Sequence, residues 1–222
     1  METEQPQKIV SKTVARKNRE RQERKDRILE TTRKLFSDRG VSDLTMQDIA
    51  DANEYSIGSL YLYFRSKDDI YAALAIEGSR MIDESLKQLE NDSSPISKEK
   101  LADFFVTTIQ TLKDYGVYFD LLNSLVHGSR KVEVSESNIN DLLEATASSI
   151  CSAEKLLIRV NPELRDDPDT LTNKVLLVWA QMLGLARVFG TQRSTLFPGI
   201  SIHSLSTTFI EQTFYAESHS AH

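Results

Sequence analysis

Leu44-Thr-Met-Gln-Asp-Ile-Ala50, then the five residues Asp51 to Tyr55, then Ser56-Ile-Gly-Ser-Leu-Tyr-Leu-Tyr-Phe-Arg-Ser-Lys67 form the stretch that decides the fold of this chain. Thr45, Ser56 and Ser66 each stand just ahead of a helix-forming run, where a side-chain oxygen can accept from the free N–H groups of a first turn. In two of these starts an aspartate, Asp48 or Asp69, follows three residues later and can complete a reciprocal cap. Ile49 and Ala50 supply core contacts and residues 51–55 a turn, so the spacing reads helix, tight turn, helix. Leu60 and Phe64, four apart, share a face and are expected to pack on Ile49, Leu35 and Phe36. The helix over 56–64 then presents Gly58, Ser59, Leu62 and Tyr63 outward.

Toward the N-terminus, Ile28, Thr32, Leu35 and Phe36 fall at helical spacing and make an apolar stripe that ends at Gly40, a natural residue just past a helix end. Ahead of it, residues 16–27 (RKNRERQERKDR) carry seven basic and three acidic side chains, and residues 1–15 read as a flexible polar tail. Toward the C-terminus a long helix is expected from Ser66 to about Asn91, closed by the break NDSSPIS at 91–97. Further helices are expected near 98–114, 117–127, 137–159, 169–191 and 202–216, separated by loops that hold Gly128, Pro162, Pro168, Pro198 and Gly199. No strict two-residue alternation with turn flanks occurs, and no internal repeat. The fold expected is therefore all-α. It divides into a basic arm at 1–23, a three-helix helix-turn-helix domain at 24–71, and a larger helical domain at 72–222 reached through the long fourth helix.

The block Gly58, Leu60, Tyr61, Tyr63, Phe64, Ser66 and Lys67, preceded by 44–50, resembles the DNA-binding domain of the TetR/AcrR family of transcriptional regulators over about residues 25–71. The resemblance implies double-stranded DNA as partner, and the residue types suit it. Gly58 lets a helix start approach a backbone closely, Ser59 can donate or accept at a base edge, and Leu62 can touch a thymine methyl. Tyr61 and Tyr63 suit phosphate hydrogen bonds, which fix register and carry no sequence information. By the same resemblance Lys67 grips phosphate at the first turn of the fourth helix, with Thr45 and Gln47 as the corresponding contacts across the groove. Asp68 and Asp69 cap that helix while weakening the local positive potential.

Two positions depart from the family pattern. Glu54 stands in the turn where glycine is usual, so the turn is expected to place Asn53 in the left-handed position instead. Ile57 stands where a polar residue is usual, and it reads equally as a thymine-methyl contact or as the edge of the core. The operator sequence is therefore this chain's own.

The formal net charge is −6, but it is unevenly spread. Residues 1–70 hold 14 Lys and Arg against 13 Asp and Glu, and the rest hold 13 against 20. The acidic surplus lies outside the segment that would meet phosphate. The basic stretch at 16–27 stays open between a solvated helix face laced with ion pairs and an arm that reaches phosphates or the minor groove. Cys151 is the sole cysteine and is expected to be a small buried hydrophobe, which points to a reducing cytoplasm and no disulfide. No signal-peptide core or membrane span is expected. The four histidines lack metal-ligand spacing, and no phosphate loop, nucleophile elbow or Cys/His cluster supports an enzyme or a cofactor.

The helix expected over 169–191 is apolar nearly all round and must be covered on two sides. Leu176, Ala180, Leu183 and Gly184, with Leu205 and Phe209 alongside, are the candidates for pairing in a homodimer, which would present two reading helices to a palindromic operator. Phe105, Tyr118, Leu122, Trp179 and Met182 are the candidates for a pocket that takes a small apolar or amphipathic ligand and shifts the fourth helix. Such a ligand would release a repressor from its operator. Two alternatives remain: a DNA binder without small-molecule effector, tuned by a protein partner or by DNA occupancy, which predicts a filled core around Trp179, and a structural interaction protein that binds no DNA.

Overall fold

The computed structural model describes the backbone of residues 6–39, 44–126, 133–189 and 198–214, and side chains over 13–36, 44–115, 133–189 and 198–214. These residues are all-α, with no strand among them. The helices are α1 (Pro6–Arg39), α2 (Met46–Ala52), α3 (Ile57–Tyr61), α4 (Lys67–Asn91), α5 (Lys98–Val126), α6 (Glu136–Val160), α7 (Pro168–Phe189) and α8 (Ile202–Phe214), with a short 3-10 turn at Pro162–Asp166. The chain forms two compact units, Met1–Ile70 with Glu133–Ser135, and Tyr71–Val132 with Glu136–His222.

In the first unit, the stripe at Ile28, Thr32 and Phe36 is buried together with Leu44, Ile49, Ala50, Leu60 and Phe64. Thr32 is tolerated in that core because its hydroxyl donates to the Ile28 carbonyl one turn back at 2.7 Å. Leu35 is only half-buried. The tail expected at 1–15 is largely helical instead, since α1 begins at Pro6. Proline suits a first helical turn, and the Lys, Arg, Glu and Gln that follow are strong helix formers. Gly40 lies outside the described residues.

The start of α4 is tied down in three ways. Ser66 and Asp69 complete a cap, with the Asp69 N–H donating to Ser66 Oγ at 3.1 Å and the Arg65 N–H to Asp69 Oδ2 at 3.2 Å. The Lys67 ammonium donates to the Leu44 carbonyl at 2.8 Å. The segment Glu133–Ser135 docks here as well: the Ser135 N–H donates to Asp69 Oδ1 at 2.9 Å, and the Ser66 hydroxyl donates to the Glu133 carbonyl. Asp68 and Asp69 are thus buried anchors of a distant chain segment, a role that local reading had given only to helix capping.

The second unit is built around α5. Leu101, Phe105, Ile109 and Leu112 meet Ile82 and Leu86 of α4, Leu156 of α6, Met182 and Ala186 of α7, and Phe209 and Ile210 of α8. Residues 98–126 form one helix and not the expected two. An isolated glycine such as Gly116 costs a helix about 1 kcal/mol against alanine, which tertiary packing overrides. Gly78 of α4 is required by contact: a Cβ there would lie 2.8 Å from Tyr115 Cβ. A polar seam joins α4 to α6, where Asp83 accepts from Ser148 at 2.8 Å, from Ser152 at 3.0 Å and from Lys87 at 2.6 Å. Burial disfavours the Asp83 carboxylate, but these hydrogen bonds outweigh it and hold its titration below the usual range. Arg159 closes the seam by donating to the carbonyls of Leu89, Glu90 and Ser94 at 2.7 to 2.9 Å, satisfying the end of α4. Cys151 is exposed on α6, contrary to expectation, because the inward stripe of that helix runs through Ala145, Ser152 and Leu156. Among the described residues no helix is long and apolar enough to cross a membrane, and no group of three metal-ligating side chains gathers.

Candidate nucleic-acid interface

The reading head is assembled from two capped starts. Thr45 and Asp48 form a full reciprocal cap of α2, and Ser56 Oγ accepts from the Ser59 N–H at 3.1 Å at the start of α3. Helix α3 is shorter than the expected 56–64, ending at Tyr61. Hydrogen bonds from the N–H groups of Tyr63 and Phe64 to the Leu60 carbonyl, at 2.9 and 3.1 Å, continue the turn. Leu60 and Phe64 are buried and Ile49 lies with them, so the opposite face is turned to solvent.

That face is apolar and uncovered. Leu62 is 69% exposed, Tyr61 50% and Ile57 38%. Ile57 therefore belongs to the surface and not to the core edge. Large apolar side chains gathered on one short exposed helix point to a surface meant for contact. Among the described residues a Cβ at Gly58 would meet only Ser56 Oγ, at 3.9 Å, so none of them demands glycine there. Ser59 is half-buried with its hydroxyl 2.8 Å from that of Ser56, and Gln47 is exposed with its amide donating to Asp51 at 2.7 Å. Thr45 is exposed, while Lys67 is partly buried and held to Leu44 as described above.

The turn resolves differently from expectation. Glu54 itself takes the left-handed conformation, at φ 58°. Asn53, expected there, has φ −97° because its N–H reaches the Ala50 carbonyl at 3.1 Å and its side-chain amide the Ile49 carbonyl at 2.8 Å. A left-handed L-residue is strained by about 1 kcal/mol, and Glu54 is exposed with its side chain clear of the core. Glu54→Gly is therefore expected to raise the thermal midpoint of the full chain by about 2 °C. Thermal unfolding followed by circular dichroism checks this, and an unchanged or lower midpoint would refute the strain.

Local reading missed where the basic stretch goes. The helix face that buries Ile28 continues N-terminally as Lys25, Arg24 and Arg21. Arg21 donates to the Leu62 carbonyl at 2.8 Å and lies over the Tyr63 ring at 5.7 Å. Arg24 donates to the Tyr63 hydroxyl at 3.2 Å, and the Lys25 ammonium lies 5.6 Å from the Phe64 ring centre. Tyr63 also stacks on Tyr55, with ring centres 6.3 Å apart. The signal was the helical spacing itself, carried past the last apolar residue.

Residues 28–74 match the model of bacterial regulatory proteins of the tetR family. That segment is similar to the tetR-family DNA-binding domain. A relative, the HTH-type transcriptional repressor KstR2 of Mycolicibacterium smegmatis, is 30% identical over 91 residues, which is 40% of this chain and 43% of that protein. The match thus spans less than half the length of the curated relative. The TetR-family regulator PfmR of Thermus thermophilus has the same fold at a TM-score of 0.61 and 17% identity, over 85% of this chain and 97% of that one. AibR, solved with isovaleryl coenzyme A and operator DNA, gives 0.59 and 17%, over 86% and 98%.

In the second unit, Phe105 and Met182 are core residues. The Phe105 ring lies 4.7 Å from that of Phe209 and 6.1 Å from that of Phe214, and Trp179 packs against the same cluster. Tyr118 and Leu122 fall outside the described side chains. Among the residues expected to pair two chains, Leu176, Ala180 and Gly184 are exposed, Leu183 and Leu205 half-buried, and Phe209 is buried. Gly184, Leu205 and Phe209 come together with Gln181 and Leu185 along one open groove between α7 and α8.

Proposed function

We propose that this chain is a sequence-specific DNA-binding transcriptional regulator of the repressor type, working as a homodimer on a palindromic operator. The observation that carries this reading is the uncovered face of α3, where Ile57, Leu62 and Tyr61 stand exposed around a glycine that the interior does not need. Ile57, Ser59 and Leu62 would read base edges. Thr45, Gln47, Tyr61, Tyr63 and Lys67 would fix register on phosphate. Pairing is supported by the exposed leucines of α7 and the groove beside Gly184, where nothing lies within 4 Å of an added Cβ and a second backbone can approach closely.

Selection of bound duplexes from random DNA tests the reading. The expected result is one enriched sequence with two-fold symmetry, and Ser59→Ala is expected to change the preferred bases while Tyr63→Ala and Lys67→Ala weaken binding to all sequences. Failure to enrich any sequence would refute it.

Regulation by a small apolar or amphipathic molecule in the second unit is part of the proposal. It is supported by α4, one continuous helix whose first turn belongs to the reading unit, and by AibR, a fold neighbour solved with both ligand and operator. A ligand that favours the DNA-incompetent arrangement by a few kcal/mol suffices to release DNA. The second reading keeps the DNA interface without an effector. The aromatic packing of Phe105, Phe209 and Phe214 favours it, since these rings fill the space among themselves. A thermal-shift screen separates the two, because a ligand at 100 times its Kd stabilises the folded chain by about 2.7 kcal/mol.

A further inference from the structure

We propose that Arg21 and Arg24 of α1, set against Tyr63, form a phosphate clamp that extends the DNA contact beyond the helix-turn-helix itself. The inference rests on the DNA-binding reading above and assigns to the basic extension a role left open by its sequence. Arg21 and Arg24 lie three residues apart and so share one face of α1. Three carboxylates of the same helix have partners along it: Glu20 lies 3.4 Å from Arg16 while also acting on Arg24, Asp26 accepts from Gln22 at 2.8 Å and Glu30 from Lys34 at 2.7 Å. Both arginines are exposed, and both converge on the last turn of the reading helix.

The chemistry at that point favours an anion. The end of α3 exposes backbone carbonyls, which repel phosphate, and the Arg21 guanidinium covers the Leu62 carbonyl among them. The Tyr63 hydroxyl accepts from Arg24, which leaves its own O–H to donate outward. The tyrosine ring packs against Tyr55 and Arg21, contacts that favour one position of the hydroxyl before any partner arrives. A guanidinium offers five donors in a planar fork, and one bond to a carbonyl or phenol does not exhaust it. Two guanidiniums and a phenol directed to one spot on an exposed rim suit a single phosphate of the duplex backbone.

The test is the salt dependence of binding of the full chain to an enriched duplex. For Arg21→Ala with Arg24→Ala, the affinity is expected to fall about 10-fold to 100-fold, and the slope of log affinity against log salt to flatten by about 1 per bound chain. The preferred bases and the thermal midpoint should stay unchanged. Lysine at both positions should restore the salt slope in part, and Tyr63→Phe, which keeps the ring and removes the O–H, should weaken binding about 10-fold. If the parent binds and the double alanine variant keeps its slope and affinity, the clamp is refuted. It is equally refuted if affinity falls with an unchanged slope and a lowered midpoint, since the arginines then merely cap α3. If the parent itself shows no salt-dependent binding, the DNA-binding reading fails, and the clamp with it.

Discussion

Gly58→Glu is expected to leave the chain folded and to weaken duplex binding by about 100-fold or more. A Cβ at this position meets only Ser56 Oγ, at 3.9 Å, so the protein has room for the side chain. Within α3 the change removes a glycine, which by itself favours the helix by a few tenths of a kcal/mol up to about 1. Toward a duplex it does the reverse. The glutamate fills the space through which a backbone would approach and sets a carboxylate against phosphates, and like charges brought together cost several kcal/mol. Thermal unfolding and fluorescence anisotropy with the enriched duplex read the two effects separately. A variant that binds like the parent would show that this face is not the reading surface.

Phe105→Ala is expected to cost about 3–5 kcal/mol of stability. Phe105 is 1% exposed and its ring touches those of Phe104, Phe209 and Phe214, so truncation opens a cavity where α5 meets α8. Denaturant unfolding measures the loss, and a cost below about 1 kcal/mol would mean that the cluster collapses into the gap. The variant bears on regulation too. A packed aromatic cluster that turns into a cavity creates apolar space at that place, so gain of small-molecule binding by Phe105→Ala alone would favour the effector-free reading of the parent.

The parts of the fold legible in the sequence were those governed by neighbours along the chain. Thr45, Ser56 and Ser66 cap helices because side-chain oxygens reach N–H groups two or three residues away, and that chemistry needs no tertiary structure. The buried faces at Ile28, Thr32 and Phe36 and at Leu60 and Phe64 followed from helical spacing for the same reason. Features set by distant segments were not legible. The docking of residues 133–135 on Asp68 and Asp69 spans more than sixty positions, and the destination of Arg21 and Arg24 depends on where α1 passes α3. Glu54 shows a different limit. Propensity favours Asn53 for the left-handed position, but the hydrogen bonds that close α2 hold Asn53 in place and hand the strain to its neighbour. Likewise the uncovered side of α7 could be read as apolar from the sequence, whereas the exposure of Leu176 beside the burial of Met182 needed the packing of α5 and α8.

The central claim, that the head built on α2 and α3 binds duplex DNA through backbone phosphates and base edges, is tested most directly by titrating the full chain against an enriched duplex across salt concentrations. Binding by two chains per duplex is predicted, with affinity falling by about 10³-fold or more between about 50 and 200 mM salt. Binding that does not change with salt, or no duplex bound above the level of random DNA, would contradict it.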